Sequence, residues 1–378
     1  MTGPLDGMVV ADFSRVLAGP LATTMLADLG ATVIKVERPA TGDDTRHWGP
    51  PWTANSSSYF ECANRSKQSI ELDLTVAGDL ALAQKLALRA DVLVENFRDG
   101  TLGRMGLGYD DLRQQNPGLV YCSITGFGSA QGAALPGYDF LVQAVGGLMS
   151  VTGDPDGEPT KVGAALVDVL TSKDAAIGIL AALRVRDQTG TGQRVEVNLL
   201  SSLLGSMANQ VSGYLTTGVS PGPMGNQHPS IAPYETVRCK DGLLALCCGN
   251  DAQFQRLAGA IGAAHLATDE SFRTNPARVT NRPALVRELE AVLTQGSVDE
   301  WTERLQEAGV AAGKVGDIGS AIATAESLGL EPLVSVAHGQ PDQVRHPVIY
   351  SATPVTEYQA PPRLGEHNED IRHWLTTS

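Results

Sequence analysis

The chain has 378 residues, 42% hydrophobic and 19% charged, a composition that supplies a buried core and excludes a disordered polymer. Its 28 Lys and Arg against 42 Asp and Glu give a net charge of −14, which argues against a general nucleic-acid binder but leaves room for a local basic pocket. At roughly 150 residues per domain, the length predicts two or three domains, or one large α/β domain with an insertion.

The first forty residues read as a β-α-β unit. Met8–Phe13 is a short apolar run suited to a buried strand, and Thr32–Val36 is a second. Between them Pro20–Leu29 has helical spacing, with Pro at its start and Gly30 just past its end. Leu80–Arg89 reads as a helix, and Val92–Glu95 and Leu119–Ile124 as strands. Strands alternating with helices imply a parallel sheet covered on both faces. From Leu135 a helix is expected, ending in a Gly-rich loop, then an extended apolar run at Lys161–Val167 and a long helix from Asp168 to about Arg186. A turn at Asp187–Gln193 precedes a strand that leads into a helix over Arg194–Gly205. Gly and Pro cluster at 213–233, the signature of a linker. Beyond it Tyr234–Asn250 reads as a hairpin turning at Lys240-Asp241-Gly242, followed by helices at Ala252–Ile261 and Arg282–Gln295. The last stretch is Pro-rich and extended, with a helix near Asn368–Leu375.

Several chemistries lack their residues. The turn after the first strand reads Ser14-Arg15-Val16-Leu17-Ala18-Gly19-Pro20, without the G-x-G-x-x-G of a dinucleotide site, and no P-loop occurs. The five cysteines, Cys62, Cys122, Cys239, Cys247 and Cys248, form no C-x-x-C pair and no zinc spacing, so no metal is expected and a reducing compartment is, the cytoplasm. The start, MTGPLDGMVVADF, lacks a basic segment before a long apolar run, so no signal peptide is expected. No apolar stretch reaches ~18 residues, and no membrane span is expected. Of Arg15, Lys35, Arg38, Arg46, Arg65, Lys67, Arg98 and Arg104, several follow candidate strand ends, and together they form either a phosphate pocket or ordinary surface charge. Asp168 has two compatible readings, a helix N-cap or a nucleophile in apolar surroundings. Gly126 and Gly128 either turn the chain or let a ligand approach backbone N–H groups. His228, in the Gly/Pro-rich stretch, is either a turn residue or a cleft residue.

Together the strings DFSRVLAGPLATTMLADLGATVIKV (Asp12–Val36), NRSKQSIELDL (Asn64–Leu74), VENFRDG (Val94–Gly100), MGLG (Met105–Gly108), YCSITGFG (Tyr121–Gly128), GYD (Gly137–Asp139) and GLMSVTG (Gly147–Gly153) resemble the class III CoA-transferases, the family that includes formyl-CoA and carnitine CoA-transferases. The likeness covers most of the chain and is strongest over 5–235. GDDTRHWGPP (Gly42–Pro51), YCSITG (Tyr121–Gly126), NLLSS (Asn198–Ser202) and HPSIAPY (His228–Tyr234) look most like the succinyl-CoA:dicarboxylate transferases, the succinyl-CoA:glutarate enzymes among them.

The resemblance implies an α/β fold with a Rossmann-like large domain built from both chain ends and a smaller α+β insertion, in an interlocked homodimer. The expected division is 1–200 for the first part of the large domain, 201–225 for a linker helix, 226–325 for the small domain and 326–378 for the return. It implies a catalytic Asp168 that passes through aspartyl anhydride and aspartyl-CoA thioester intermediates. CoA contacts are implied at Val16, Ala18, Arg38, Leu72, Asn96, Phe97, Arg104 and Tyr138, with CoA a substrate rather than a tightly held cofactor. Gly126 and Gly128 are candidates to stabilise oxyanions, and Arg46 and His228 to meet a distal carboxylate. Two alternatives stand beside transfer: an α-methylacyl-CoA racemase and a non-catalytic acyl-CoA binder. Racemases of this superfamily carry G-H-D where this chain has Gly137-Tyr138-Asp139. A neutral phenol with a pKa near ~10 is a poor base at pH 7, which favours transfer.

Overall fold

In the computed structural model of the chain, which describes residues 3–337 and 339–377, six strands form one parallel sheet. They are β1 (Val9–Asp12), β2 (Thr32–Glu37), β3 (Lys67–Glu71), β4 (Val92–Glu95), β5 (Val120–Thr125) and β6 (Arg194–Asn198), in spatial order β3-β2-β1-β4-β5-β6. Successive side chains leave a strand on opposite faces. Val10, Val33 and Val94 accordingly join one core with Leu26 and Ile179, while Ala11, Ile34 and Leu93 join another with Leu86 and Ile371. Both faces are covered, as the continuous apolar runs required.

The covering helices are α1 (Ala18–Asp28), α2 (Ala77–Arg89), α3 (Asp139–Val145), α4 (Leu166–Thr189) and α5 (Leu199–Ser206). A further helix, Ala208–Thr217, follows where a single linker helix over 201–225 was expected. Helix α1 begins two residues before Pro20, so the proline sits in its first turn, where a missing N–H costs nothing. The final helix, Asn368–Thr377, sends Ile371 and Leu375 into the core shared with α2.

The chain divides into two compact units. The larger comprises Met1–Met149, Lys161–Ser220 and Glu331–Ser378, and so contains both chain ends. The smaller comprises Ser150–Thr160 and Pro221–Leu330. Its antiparallel sheet joins β7 (Tyr234–Arg238), β8 (Leu243–Cys247) and β9 (Ala311–Lys314) in that order, and β7 and β8 are the expected hairpin. Phe254, Leu257, Leu289 and Leu305 pack with Leu244 and Leu246 as its core.

One departure bears on the site. The run Lys161–Val167 is not a strand: it is irregular through Ala165, and α4 starts at Leu166. No helix among the described residues is long and apolar enough to cross a membrane.

Candidate active site

In an open parallel sheet the ligand crevice lies beyond the carboxyl ends of the strands, where the strand order reverses. Here that point is between β1 and β4. The turns leaving the two strands are stitched together: the Arg15 N–H donates to Asn96 Oδ1 at 2.9 Å, and Asn96 Nδ2 donates to the Arg15 carbonyl at 2.7 Å. Val16, next in the turn, has φ of 71°, a left-handed conformation that strains a β-branched residue by about 1–3 kcal/mol. Its N–H is held by Asp43, at 3.2 Å to the nearer oxygen.

Beneath the turn lies a buried ionic network. Lys67 Nζ donates to Asp12 Oδ2 at 3.0 Å, to the Pro20 carbonyl at 2.8 Å and to Asn64 Oδ1 at 3.0 Å. Lys35 Nζ meets Asp43 Oδ2 at 2.9 Å and the Ser14 carbonyl at 3.0 Å. Burial alone would raise the Asp12 carboxyl, but Lys67, Lys35 and the hydroxyls of Ser14 and Thr23 outweigh it and hold it well below the usual range. Burial, with Lys35 nearby and against the pull of Asp12, brings Lys67 down to about 8. These residues fix the turn and leave neither lysine free for a ligand.

Asp168 sits in the first turn of α4, half-buried, and does not cap it. The cap comes from elsewhere: Asp139 Oδ1 accepts the N–H groups of Val167 at 2.8 Å and Asp168 at 3.3 Å. Asp139 is itself oriented by Gln143, whose Nε2 donates to Oδ2 at 2.6 Å and whose Oε1 accepts from Val162 N at 2.9 Å. The first turn of α4 is therefore pinned from α3, and the Asp168 carboxylate is left for other work. Burial and then the charge of Asp139 push Asp168 up to about 7. Burial, followed by the charge of Asp168, pushes the Tyr59 phenol up to about 12, so Tyr59 stays protonated beside it.

Asp168 lines a cleft of about 310 Å³ together with Val16, Ala18, Asn96, Phe97 and Tyr138. Gly126 and Gly128 line it as well. Gly126 packs its backbone on Gly137, so that a Cβ on either would lie 2.4 Å from the other's Cα. The Gly128 N–H donates to Thr125 Oγ1 at 3.0 Å. Arg38, Leu72 and Phe97 line a second, more apolar cavity of about 190 Å³. Arg15 and Phe97 are common to both.

Two expected residues of the larger unit, Arg104 and Arg46, fall outside these cavities. Arg104 is exposed and donates to Thr101 Oγ1 at 3.3 Å. Arg46 is buried, not open to a substrate carboxylate: its Nε and Nη2 hold Glu37 at 2.8 and 2.7 Å, its Nη groups reach the Pro362 carbonyl, and its guanidinium lies 3.7 Å over the Phe60 ring. His228 belongs to the smaller unit, where its Nδ1 accepts from Ser230 N at 3.1 Å and its ring meets Tyr234 at 5.3 Å. Of the eight basic residues singled out in the sequence, Lys35, Arg46, Arg65 and Lys67 are buried in ion pairs. Tyr59 and Gln143 carried no signal in the sequence, and Asp44 was visible only inside the GDDTRHWGPP string. Asp139 was visible only as part of the GYD string, because nothing in a sequence links it to N–H groups 28 residues on.

The profile of CoA-transferase family III matches residues 5–368. A succinate–glutarate CoA-transferase from Agrobacterium fabrum is 40% identical over 99% of this chain and 96% of its own length. An acetyl-CoA:oxalate CoA-transferase from Acetobacter aceti is 41% identical over 84% of this chain and 82% of its own. A crystal structure of a CAIB/BAIF family protein from Brucella suis superposes with a TM-score of 0.89 at 41% identity, covering 99% of this chain and 100% of that one. With a half-buried carboxylate lining the crevice of a six-stranded parallel sheet, and with these matches along nearly its full length, the chain belongs to CoA-transferase family III.

Proposed function

We propose that this enzyme moves CoA from an acyl-CoA donor, succinyl-CoA or a similar ester, to a carboxylic acid acceptor, a dicarboxylate, with Asp168 as the nucleophile. The observation that carries the reading is a half-buried carboxylate, free of any capping duty, on the wall of the cleft at the β1/β4 crossover. The relatives' activities toward succinate, glutarate and oxalate support the substrate class.

An Asp168 oxygen adds to the thioester carbonyl, the C–S bond breaks, and CoA thiolate leaves behind an acyl-aspartyl anhydride. The thiolate attacks the Asp168 carbonyl carbon and expels the donor acid as its carboxylate, leaving an aspartyl-CoA thioester. The acceptor carboxylate attacks that thioester and frees the thiolate again, and the thiolate takes the acceptor acyl group from the second anhydride. Asp168 returns as a carboxylate with no net proton consumed. Water must be kept out, since each intermediate hydrolyses. The backbone N–H of Gly126 is assigned to the oxyanions, while Gly128, whose N–H already donates to Thr125 Oγ1, is assigned to the wall beside it. Val16, Ala18, Asn96, Phe97 and Tyr138 are assigned to the pantetheine arm, and Arg38 and Leu72 to the nucleotide end, with Arg104 at its outer edge. CoA is taken as a substrate, with no tightly held cofactor.

We assign the working form to an interlocked homodimer in the cytoplasm. Helix α4 presents Ile177 at 64% exposure beside Leu180 and Val185, and α3 presents Phe140 at 60%. Exposed apolar side chains grouped on a surface mark a place where a partner docks, and a second copy of this chain is the occupant proposed. All five cysteines are free thiols, in keeping with a reducing compartment.

The test is to trap the thioester. Incubation with succinyl-CoA and then hydroxylamine is expected to convert residue 168 to a hydroxamate, read by peptide mass spectrometry. Unmodified Asp168 under turnover conditions would sink the reading.

A pH profile gives a second check. The nucleophile is the ionised form, so kcat/KM for the donor is expected to rise with pH and level off above about 7. The sign for stability is opposite. Because the folded protein holds this proton more tightly than the unfolded chain, whose carboxyl titrates near 3.8, stability from this group is lost as pH rises from there through about 7. Asp139→Asn keeps a capping side chain and removes the neighbouring charge, and is expected to move the kinetic limb to lower pH.

A further inference from the structure

Arg15 stands at the seam of the two cavities, its guanidinium 5.4 Å above the Phe97 ring. Its Nη1 lies 3.3 Å from Asp44 Oδ2, and its Nε is buried without a hydrogen-bond partner. The other Asp44 oxygen takes Nη2 of Arg38. Asp44 opens the 3-10 turn Asp44–His47, and it is free for this because its neighbour Asp43 already serves Lys35, Val16 and Thr45. One carboxylate, 42% exposed, thus bridges two partly exposed guanidinium groups.

Exposed pairs of this kind are worth little. An arginine exchanges such a partner readily for a phosphate, which offers more charge and more acceptor oxygens. The cavity beside Arg38 is lined by Val36, Leu72, Leu74 and Met105 and suits a nucleobase, and the other holds Asp168. A ligand that reaches from one to the other passes Arg15 on the way.

We propose that Asp44 is a built-in counter-ion: it occupies Arg15 and Arg38 in the free enzyme and yields them to the phosphate groups of the CoA ester. The proposal rests on the CoA-transferase reading above and adds to it a residue that opposes binding. Holding the arginines in place keeps the crevice ready, and the carboxylate's return eases departure of the product ester.

Calorimetric titration of the full chain tests this with CoA, with pantetheine (which lacks phosphate) and with glutarate. Asp44→Asn is expected to bind CoA roughly three- to tenfold tighter, with pantetheine and glutarate unchanged. Asp44→Ser carries the same expectation should the first variant misfold. Arg15→Gln is expected to weaken CoA binding and to shrink the gain from Asp44→Asn in the double variant. Equal or weaker CoA binding by the Asp44 variants would overturn the proposal, as would an equal gain for pantetheine. A gain for glutarate instead would move the arginines to the acid site and overturn it too. Wild-type protein that binds no CoA would remove the transferase reading itself, whereas normal wild-type binding with unresponsive Asp44 variants would remove this inference alone.

Discussion

Asp168→Ala is expected to lower transfer of CoA from succinyl-CoA to glutarate by on the order of 10⁴-fold or more while leaving CoA affinity within about twofold. The loss is large because covalent chemistry has no fallback here. The carboxylate nearest in function, Asp139, is committed to the N–H groups of Val167 and Asp168 and to Gln143. Asp168→Asn removes the nucleophile with almost no change in shape, so it separates chemistry from packing and is expected to fall by a similar factor. Neither variant is expected to lose structure, because Asp168 caps nothing and its ionised form is disfavoured by burial. Rates at saturating donor, alongside CoA titrations, read both quantities. Transfer at more than a few per cent of wild type would mean that the acyl group never visits this side chain.

The largest stability effect is expected at Lys67→Met, about 3–5 kcal/mol of destabilisation. Removing this ammonium strands three buried acceptors at once: Asp12 Oδ2, the Pro20 carbonyl and Asn64 Oδ1. Asp12 is fully buried, so its charge loses its closest compensation. Urea denaturation monitored by circular dichroism reads the loss as a lower midpoint. Replacing both partners, Asp12→Leu with Lys67→Met, is expected to recover part of it, since an apolar pair carries no desolvation cost. A double variant no better than the single would show that Pro20 and Asn64, not Asp12, dominate. Because the network also fixes Ser14 and the strained turn at Val16, the single variant is expected to raise KM for the donor as well.

The sheet was legible in the sequence where its strands are apolar on both faces, as in β1, β2, β4 and β5. It was not legible at β3, Lys67–Glu71, because Ile70 is the one apolar residue in that strand and no alternating or continuous apolar pattern marks it. Strand β9, Ala311–Lys314, has no β-branched or aromatic residue and forms by pairing with β8. The start of α4 was placed two residues late, at Asp168, because Leu166 and Val167 read as the end of an extended run when they begin the helix. The importance of Asp168 came from resemblance, and its physical setting came from Asp139, a contact between distant residues that no local pattern encodes. Arg46 failed for the same reason in reverse: Glu37 and Pro362 claim it from opposite ends of the chain.

The amide hydrogens of Arg15 and Val16 are already given to Asn96 and Asp43. Dinucleotide enzymes with a comparable strand order keep the matching amides open as a cradle for pyrophosphate. A turn closed in this way leaves guanidinium groups to meet any nucleotide on the proposed reading. Backbone cradles are fixed by the fold, but arginines change one codon at a time. On that reading, exchanging either arginine changes the grip on the nucleotide and leaves the turn beneath it closed by Asn96 and Asp43.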